Sequence, residues 1–219
     1  MKKNLILKTL LLTLSISLFS PMASIKGSAA TASAVQPEIN AQAAITMDLE
    51  TGEIIYSKDA DSKRYPASTT KLLTGLLLAE NKQKSDAIEF TESAKAQPEY
   101  SLNINFMHNS MKVGDTMSAD DVMKGLLLFS GNDTAYMIAD SVAGNSTKFA
   151  EMMNAKAKEI GAENSHFVTA NGLHDDNHYT TAYDLSLITK AAFENEWERE
   201  VMGLADASIE INGAKVLLE

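Results

Sequence analysis

Ser68 and Lys71 stand three residues apart at the mouth of an apolar run, in "YPASTTKLLTGLLLAE" at positions 65–80. A serine hydroxyl is a weak nucleophile at neutral pH and needs a base within hydrogen-bond reach. A lysine can be that base once burial or a neighbouring charge lowers its pKa. On a helix, residues i and i+3 share a face. The first turn also offers unpaired amides and the positive end of the helix dipole to a developing oxyanion. The pair therefore suits acyl transfer. The pattern is cheap, since about one chance Ser-x-x-Lys is expected in a chain this long. The plain alternative is a helix cap with a solvated lysine. Capping and catalysis are compatible, because the turn that needs a cap is the turn with free amides, and Ser68 is expected to cap its helix.

Ser130-Gly131-Asn132, about 60 residues further on, is the second element. In a short loop facing a cleft, a hydroxyl can relay a proton to a leaving amine, and an Asn amide can hold a substrate's peptide group. Read alone, the tripeptide is an ordinary interhelix turn. The two elements together carry far more weight than either. A third cluster, His174 and His178 with Asp175 and Asp176 between them, has metal-ligand spacing for one helix face. Asn171-Gly172 just before it favours a turn instead, and no third ligand is evident, so no metal or other cofactor is assigned.

These residues need elements to carry them. Pro66 blocks a helix before it, while Leu72, Leu73, Leu76 and Leu77 recur at helical spacing and predict a buried helix. Residues 43–60 read as two short strands around Glu50-Thr51-Gly52. Ser118 with Asp121 opens a helix over "ADDVMKGLLLF", and Thr181 with Asp184 opens another over "YDLSLITKAAF". Helical periodicity resumes in "DTAYMIADSVAG", and "STKFAEMMNAKAKEIGA" is an amphipathic helix stopped at Gly161. Residues 84–116 mix strand-like and polar pieces without a clear order. The methionines, among them Met107, Met111, Met117, Met123 and Met137, read as core filling.

Residues 1–34 have the lysines, apolar stretch and small residues of a cleaved secretory leader, with cleavage after Ala30 or Ala34. Lys8 and several Ser and Thr interrupt its apolar run, which weakens a retained membrane anchor. Residues 35–41 read as a linker and 42–219 as the catalytic domain. Removing the leader takes four lysines and no acid, so the formal charge moves from −10 to −14. Such a chain is a poor nucleic-acid binder. It contains no Cys, which excludes a disulfide scaffold, a thiolate zinc site and a Cys-linked lipid.

From about residue 40 onward the chain resembles the serine D,D-carboxypeptidases, low-molecular-weight penicillin-binding proteins related to the β-lactamases. The likeness lies in "PASTTKLLT", "MKGLLLFSGNDTAYMIAD" and "NGLHDDNHYTTAYDLSLI", and the first two carry motifs of that superfamily. It implies an α+β fold of the penicillin-binding-protein and β-lactamase type. It also implies a partner, the peptidoglycan pentapeptide ending in D-Ala-D-Ala, with β-lactams as covalent inhibitors, all outside the cytoplasm at the cell wall. By that likeness Ser68 is the acylated nucleophile and Lys71 its base. Ser130 passes a proton to the departing D-Ala, and Asn132 binds the acyl-side amide and orients Lys71.

One motif is missing. The family's Lys-Thr-Gly, which supplies the cation for the substrate carboxylate, does not occur, and Lys215 is followed by Val and Leu. By the family's layout the chain stops short of that motif, so an incomplete sheet and crippled turnover are expected. Two competitors remain: a serine β-lactamase, and a secreted penicillin- or muropeptide-binding module that has lost catalysis. Gly131 and the lack of a Glu in a deacylation context weigh against the first, since class A β-lactamases carry Ser-Asp-Asn and a deacylating Glu.

Overall fold

The computed structural model describes residues 38–98, 100–106 and 110–218. The expected leader, residues 35–37 of the expected linker and Met107 lie outside the described residues. The first element is the expected hairpin, strand β1 (Ala44–Met47) antiparallel to β2 (Ile54–Lys58). Asp48 closes its turn by accepting from the Glu50 and Thr51 amides, and Gly52 takes the positive φ of 74° that the turn requires.

A 3-10 turn (Ala67–Thr70) runs straight into helix α1 (Lys71–Asn81). Leu73, Leu76, Leu77 and Leu78 are buried along with Thr74 and Gly75, so this helix is enclosed on nearly every side. Five helices pack around it: α4 (Ala119–Leu127), α5 (Asn132–Ala143), α6 (Ser146–Glu159), α7 (Ala182–Glu194) and α8 (Glu196–Met202). Two of the starts follow the sequence signals. Ser118 Oγ accepts from Asp121 N at 3.1 Å, and Thr181 Oγ1 accepts from Asp184 N at 3.0 Å. Gly161 (φ 88°) ends α6 as expected. The unordered stretch resolves into strand β3 (Ala87–Glu89), short helices α2 (Glu92–Lys95) and α3 (Leu102–Asn105), and strand β4 (Thr116–Ser118) paired antiparallel to β3.

Strands β5 (Ala207–Ile211) and β6 (Ala214–Leu218) form a last hairpin. Asn212 and Gly213 both have positive φ, the backbone of a type I′ turn. Ile209, Ile211, Val216 and Leu218 point from it into the core, and β5 packs on α4. Three two-stranded antiparallel sheets are thus present among the described residues, with the helices carrying most of the core. Met111, Met117, Met123 and Met137 lie in that core.

Gly75 shows how tightly α1 is held, because a Cβ there would lie 2.6 Å from Glu198 Oε1 and 3.1 Å from Met123 Sδ. Glu198 itself is fully buried with neither carboxyl oxygen hydrogen-bonded. Burial, and then the nearby charge of Glu80, push its pKa up to about 9. In the unfolded chain this acid ionises above about pH 4.5; in the fold it stays protonated. Its contribution to stability is therefore full below the unfolded pKa and is lost as pH rises toward the folded one. In Glu198→Gln, urea unfolding should show the variant gaining on the wild type by up to roughly 3 kcal/mol between pH 4.5 and 7. A gap independent of pH would contradict a buried protonated acid.

Candidate active site

Pro66 is buried and fixes the approach to the 3-10 turn, and Ala67 follows in the left-handed region at φ 48°. That conformation is unfavourable for a residue with a Cβ, by about 1–2 kcal/mol. It leaves Ser68 exposed on the outside of the turn. Ser68 does not cap the helix, contrary to the sequence expectation: Pro66 and Thr70 hold the cap positions, and neither turn nor helix has a side-chain cap. The helix continues the 3-10 turn directly, so its first amides already have backbone partners; Lys71 N, for example, donates to Ser68 O. The Ser68 hydroxyl is consequently free of a capping role.

Lys71 lies one turn further on and is 2% exposed. Its Nζ is 3.2 Å from Ser68 Oγ, 3.0 Å from Asn132 Oδ1 and 3.0 Å from the carbonyl oxygen of Asn171. Burial lowers its pKa to about 8, opposed by the negative charge of Asp133. The arrangement has a simple consequence for the neutral amine. Its two N–H groups are taken by Asn132 Oδ1 and Asn171 O, so the lone pair is left facing the Ser68 hydroxyl. That is the geometry of a general base for a serine nucleophile.

Asn132 opens α5 and is held from behind, its N–H donating to Tyr100 O at 2.8 Å. Its neighbour Asp133 is buried and accepts from the amides of Leu102, Asn103 and Thr134. Burial raises the Asp133 carboxyl pKa against the pull of those amides. Ser130 sits half-buried in the linking loop with a left-handed backbone at φ 63°. Among the described residues no hydrogen bond joins its hydroxyl to Ser68 or Lys71. The structure therefore brings together Ser68, Lys71 and Asn132, and leaves Ser130, two residues before Asn132, without a hydrogen bond to Ser68 or Lys71.

Nothing in the sequence marks Asn171 as a partner of Lys71, because the contact is made by its backbone carbonyl. The available signal was Gly172, whose φ is 83°. A Cβ there would lie 1.9 Å from Ala67 O and 2.8 Å from Thr70 Oγ1, so only glycine lets this loop lie against the turn that carries Ser68. His178 locks the same contact. Its Nδ1 accepts from Val168 N and Thr169 N at 3.0 and 3.2 Å, which puts the proton on Nε2, donating to Thr70 Oγ1 at 2.9 Å. Burial lowers its pKa to about 4, so it is neutral at pH 7. His174 instead is exposed, 3.4 Å from Asp176 and edge-on to Tyr65. Residues 172–178 are coil and turn, so the two histidines share no helix face, and His178 has both ring nitrogens committed.

A cleft of about 350 Å³ opens over Ser68, lined by Tyr65, Tyr100, Asn132, Leu173 and His174 among others. A family model described as D-alanyl-D-alanine carboxypeptidase, peptidase family S11, matches residues 30–215. The chain belongs to the S11 D-alanyl-D-alanine carboxypeptidase family. It is 30% identical over 191 residues to the carboxypeptidase DacF of Bacillus subtilis, covering 87% of this chain and 48% of that relative. With DacD of Escherichia coli it shares 34% over 170 residues, 74% of this chain and 43% of the relative. The crystal structure of the carboxypeptidase DacD from Francisella tularensis matches with a TM-score of 0.75 at 28% identity, over 82% of this chain and 44% of that one. Penicillin-binding protein 6B of Escherichia coli matches with a TM-score of 0.72 at 29% identity, over 84% and 58%. The fold is therefore the α+β penicillin-binding-protein type that the motifs implied. This S11 chain spans about half the length of the curated relatives it matches.

The Gly172 contact is directly testable. Gly172→Ala should lower the unfolding free energy by at least about 2 kcal/mol, from a strained φ and a carbonyl clash. Urea denaturation measures it, and a variant as stable as the wild type would disprove the close packing of the loop on the Ser68 turn.

Proposed function

We propose that this chain is the acylating part of an exported serine D-Ala-D-Ala carboxypeptidase acting on peptidoglycan stem peptides. The observation that carries the proposal is the buried Lys71 amine with both N–H groups engaged and Ser68 Oγ 3.2 Å away. Ser68 Oγ attacks the carbonyl carbon of the penultimate D-Ala while Lys71 Nζ takes its proton. Collapse of the tetrahedral intermediate breaks the peptide bond, and the departing D-Ala nitrogen receives a proton through Ser130. Water then hydrolyses the Ser68 ester and frees the shortened peptide. Asn132 serves the acyl-side amide through the side chain that also orients Lys71. β-Lactams enter by the same attack, and the leader-like residues 1–34 supply the route out of the cytoplasm.

No Glu or Asp is among the described residues that line the cleft. That supports a peptidase over a class A β-lactamase, whose deacylation relies on a Glu-activated water. The competing reading is a penicillin- or muropeptide-binding module that has lost catalysis. Acylation is therefore the step to measure. A fluorescent penicillin should label the wild type and leave Ser68→Ala unlabelled, and an unlabelled but folded wild type would defeat the proposal. Rapid nitrocefin turnover would replace it with the β-lactamase reading.

The pH dependence follows from Lys71. The neutral amine is the competent form, so the labelling rate should climb as pH rises through about 8 and level off above it. A rate flat from pH 6 to 9 would remove Lys71 from the role of base.

A further inference from the structure

We propose that Gln97 is a positioning residue for Lys71, acting through Asn171. The inference rests on Lys71 being the base and concerns how its lone pair is aimed. Gln97 Oε1 accepts from Asn171 Nδ2 at 2.9 Å, and Gln97 Nε2 donates to Ser93 O at 3.0 Å. Asn171 is 1% exposed, and its Oδ1 accepts from Leu173 N at 3.0 Å, so its side chain is held at both ends. With the side chain pinned, its carbonyl is presented to Lys71 Nζ.

The anchor behind Gln97 is firm. Gln97 follows the short helix α2, whose Thr91 and Ser93 hydroxyls both donate to Asp140 Oδ2 on α5. Helix α5 also carries Asn132, the other acceptor for the Lys71 amine. Both N–H groups of the amine are thus referred to one helix, directly through Asn132 and indirectly through α2, Gln97 and Asn171. Removing the Gln97 end frees the Asn171 carbonyl to move. An unclaimed N–H on Lys71 then competes for Ser68 Oγ as a donor, and the lone pair no longer faces the hydroxyl. Among the described residues Gln97 hydrogen-bonds to neither Ser68 nor any cleft-lining residue but Asn171, so its effect should fall on the acylation step and not on binding.

The test compares Gln97→Leu, which cannot accept from Asn171, with Gln97→Glu, which keeps an acceptor oxygen there. In the full chain labelled with 13C-lysine, the Lys71 resonance is assigned by its loss in Lys71→Arg. It should shift in Gln97→Leu and lie nearer the wild-type position in Gln97→Glu, which keeps the acceptor for Asn171 but loses the donation to Ser93 O. In parallel, the rate constant for acylation by penicillin should fall roughly tenfold in Gln97→Leu with the preceding dissociation constant unchanged, and recover in part in Gln97→Glu. A Lys71 resonance unmoved in Gln97→Leu, or moved equally by both variants, overturns the inference. If Gln97→Leu loses its folded circular dichroism, Gln97→Ala takes its place under the same criteria. Failure of the wild type to label with penicillin would sink the proposed function, while the lysine resonance would still decide the role of Gln97.

Discussion

The site depends on one buried amine. A lysine that leaves water loses the hydration of its charge, and the neutral form gains ground in proportion. Lys71 is taken far enough for its pKa to approach the working range, while the charge of Asp133 keeps it from falling further. Burial alone would give a base with no direction. Direction comes from two oxygen acceptors, Asn132 Oδ1 and Asn171 O, which use up the N–H groups and leave the lone pair for Ser68.

The packing around α1 makes sense as the support for that arrangement. The helix is enclosed, so the first turn cannot drift, and Thr74 Oγ1 donates to Ala170 O at 2.7 Å to tie it to the loop that carries Asn171. Gly172 lets that loop touch the Ser68 turn, and neutral His178 bridges the two from Thr70 to the amides of Val168 and Thr169. Strain is concentrated in the same place, with Ala67 and Ser130 both in the left-handed region. A fold that over-determines its surroundings can hold such residues, and the exposure of Ser68 is the result.

Elements whose signals are local were legible. Ser118 and Thr181 cap their helices because a cap needs only the amide three residues on, and the first hairpin follows from alternation around a glycine turn. The buried character of α1 followed from leucines on successive turns. Ser68 departs from the cap rule because that rule assumes that a helix starts abruptly, whereas here a 3-10 turn leads in from Pro66 and satisfies the first amides. The order of residues 84–116 was hidden because β3 pairs with β4 across an intervening stretch of short helices.

Taken alone, the sequence determined the chemistry on offer: a serine three residues before a lysine, an Asn-bearing loop, and their likeness to one peptidase family. Residue type and short spacing carry that information, and neither needs a partner distant in the chain. The tertiary structure decided whether the lysine has the desolvation and the acceptors that a base needs. That depends on desolvation and on acceptors 61 and 100 residues away, one of them a backbone carbonyl. Every residue has such a carbonyl, so only the fold can distinguish the one that matters.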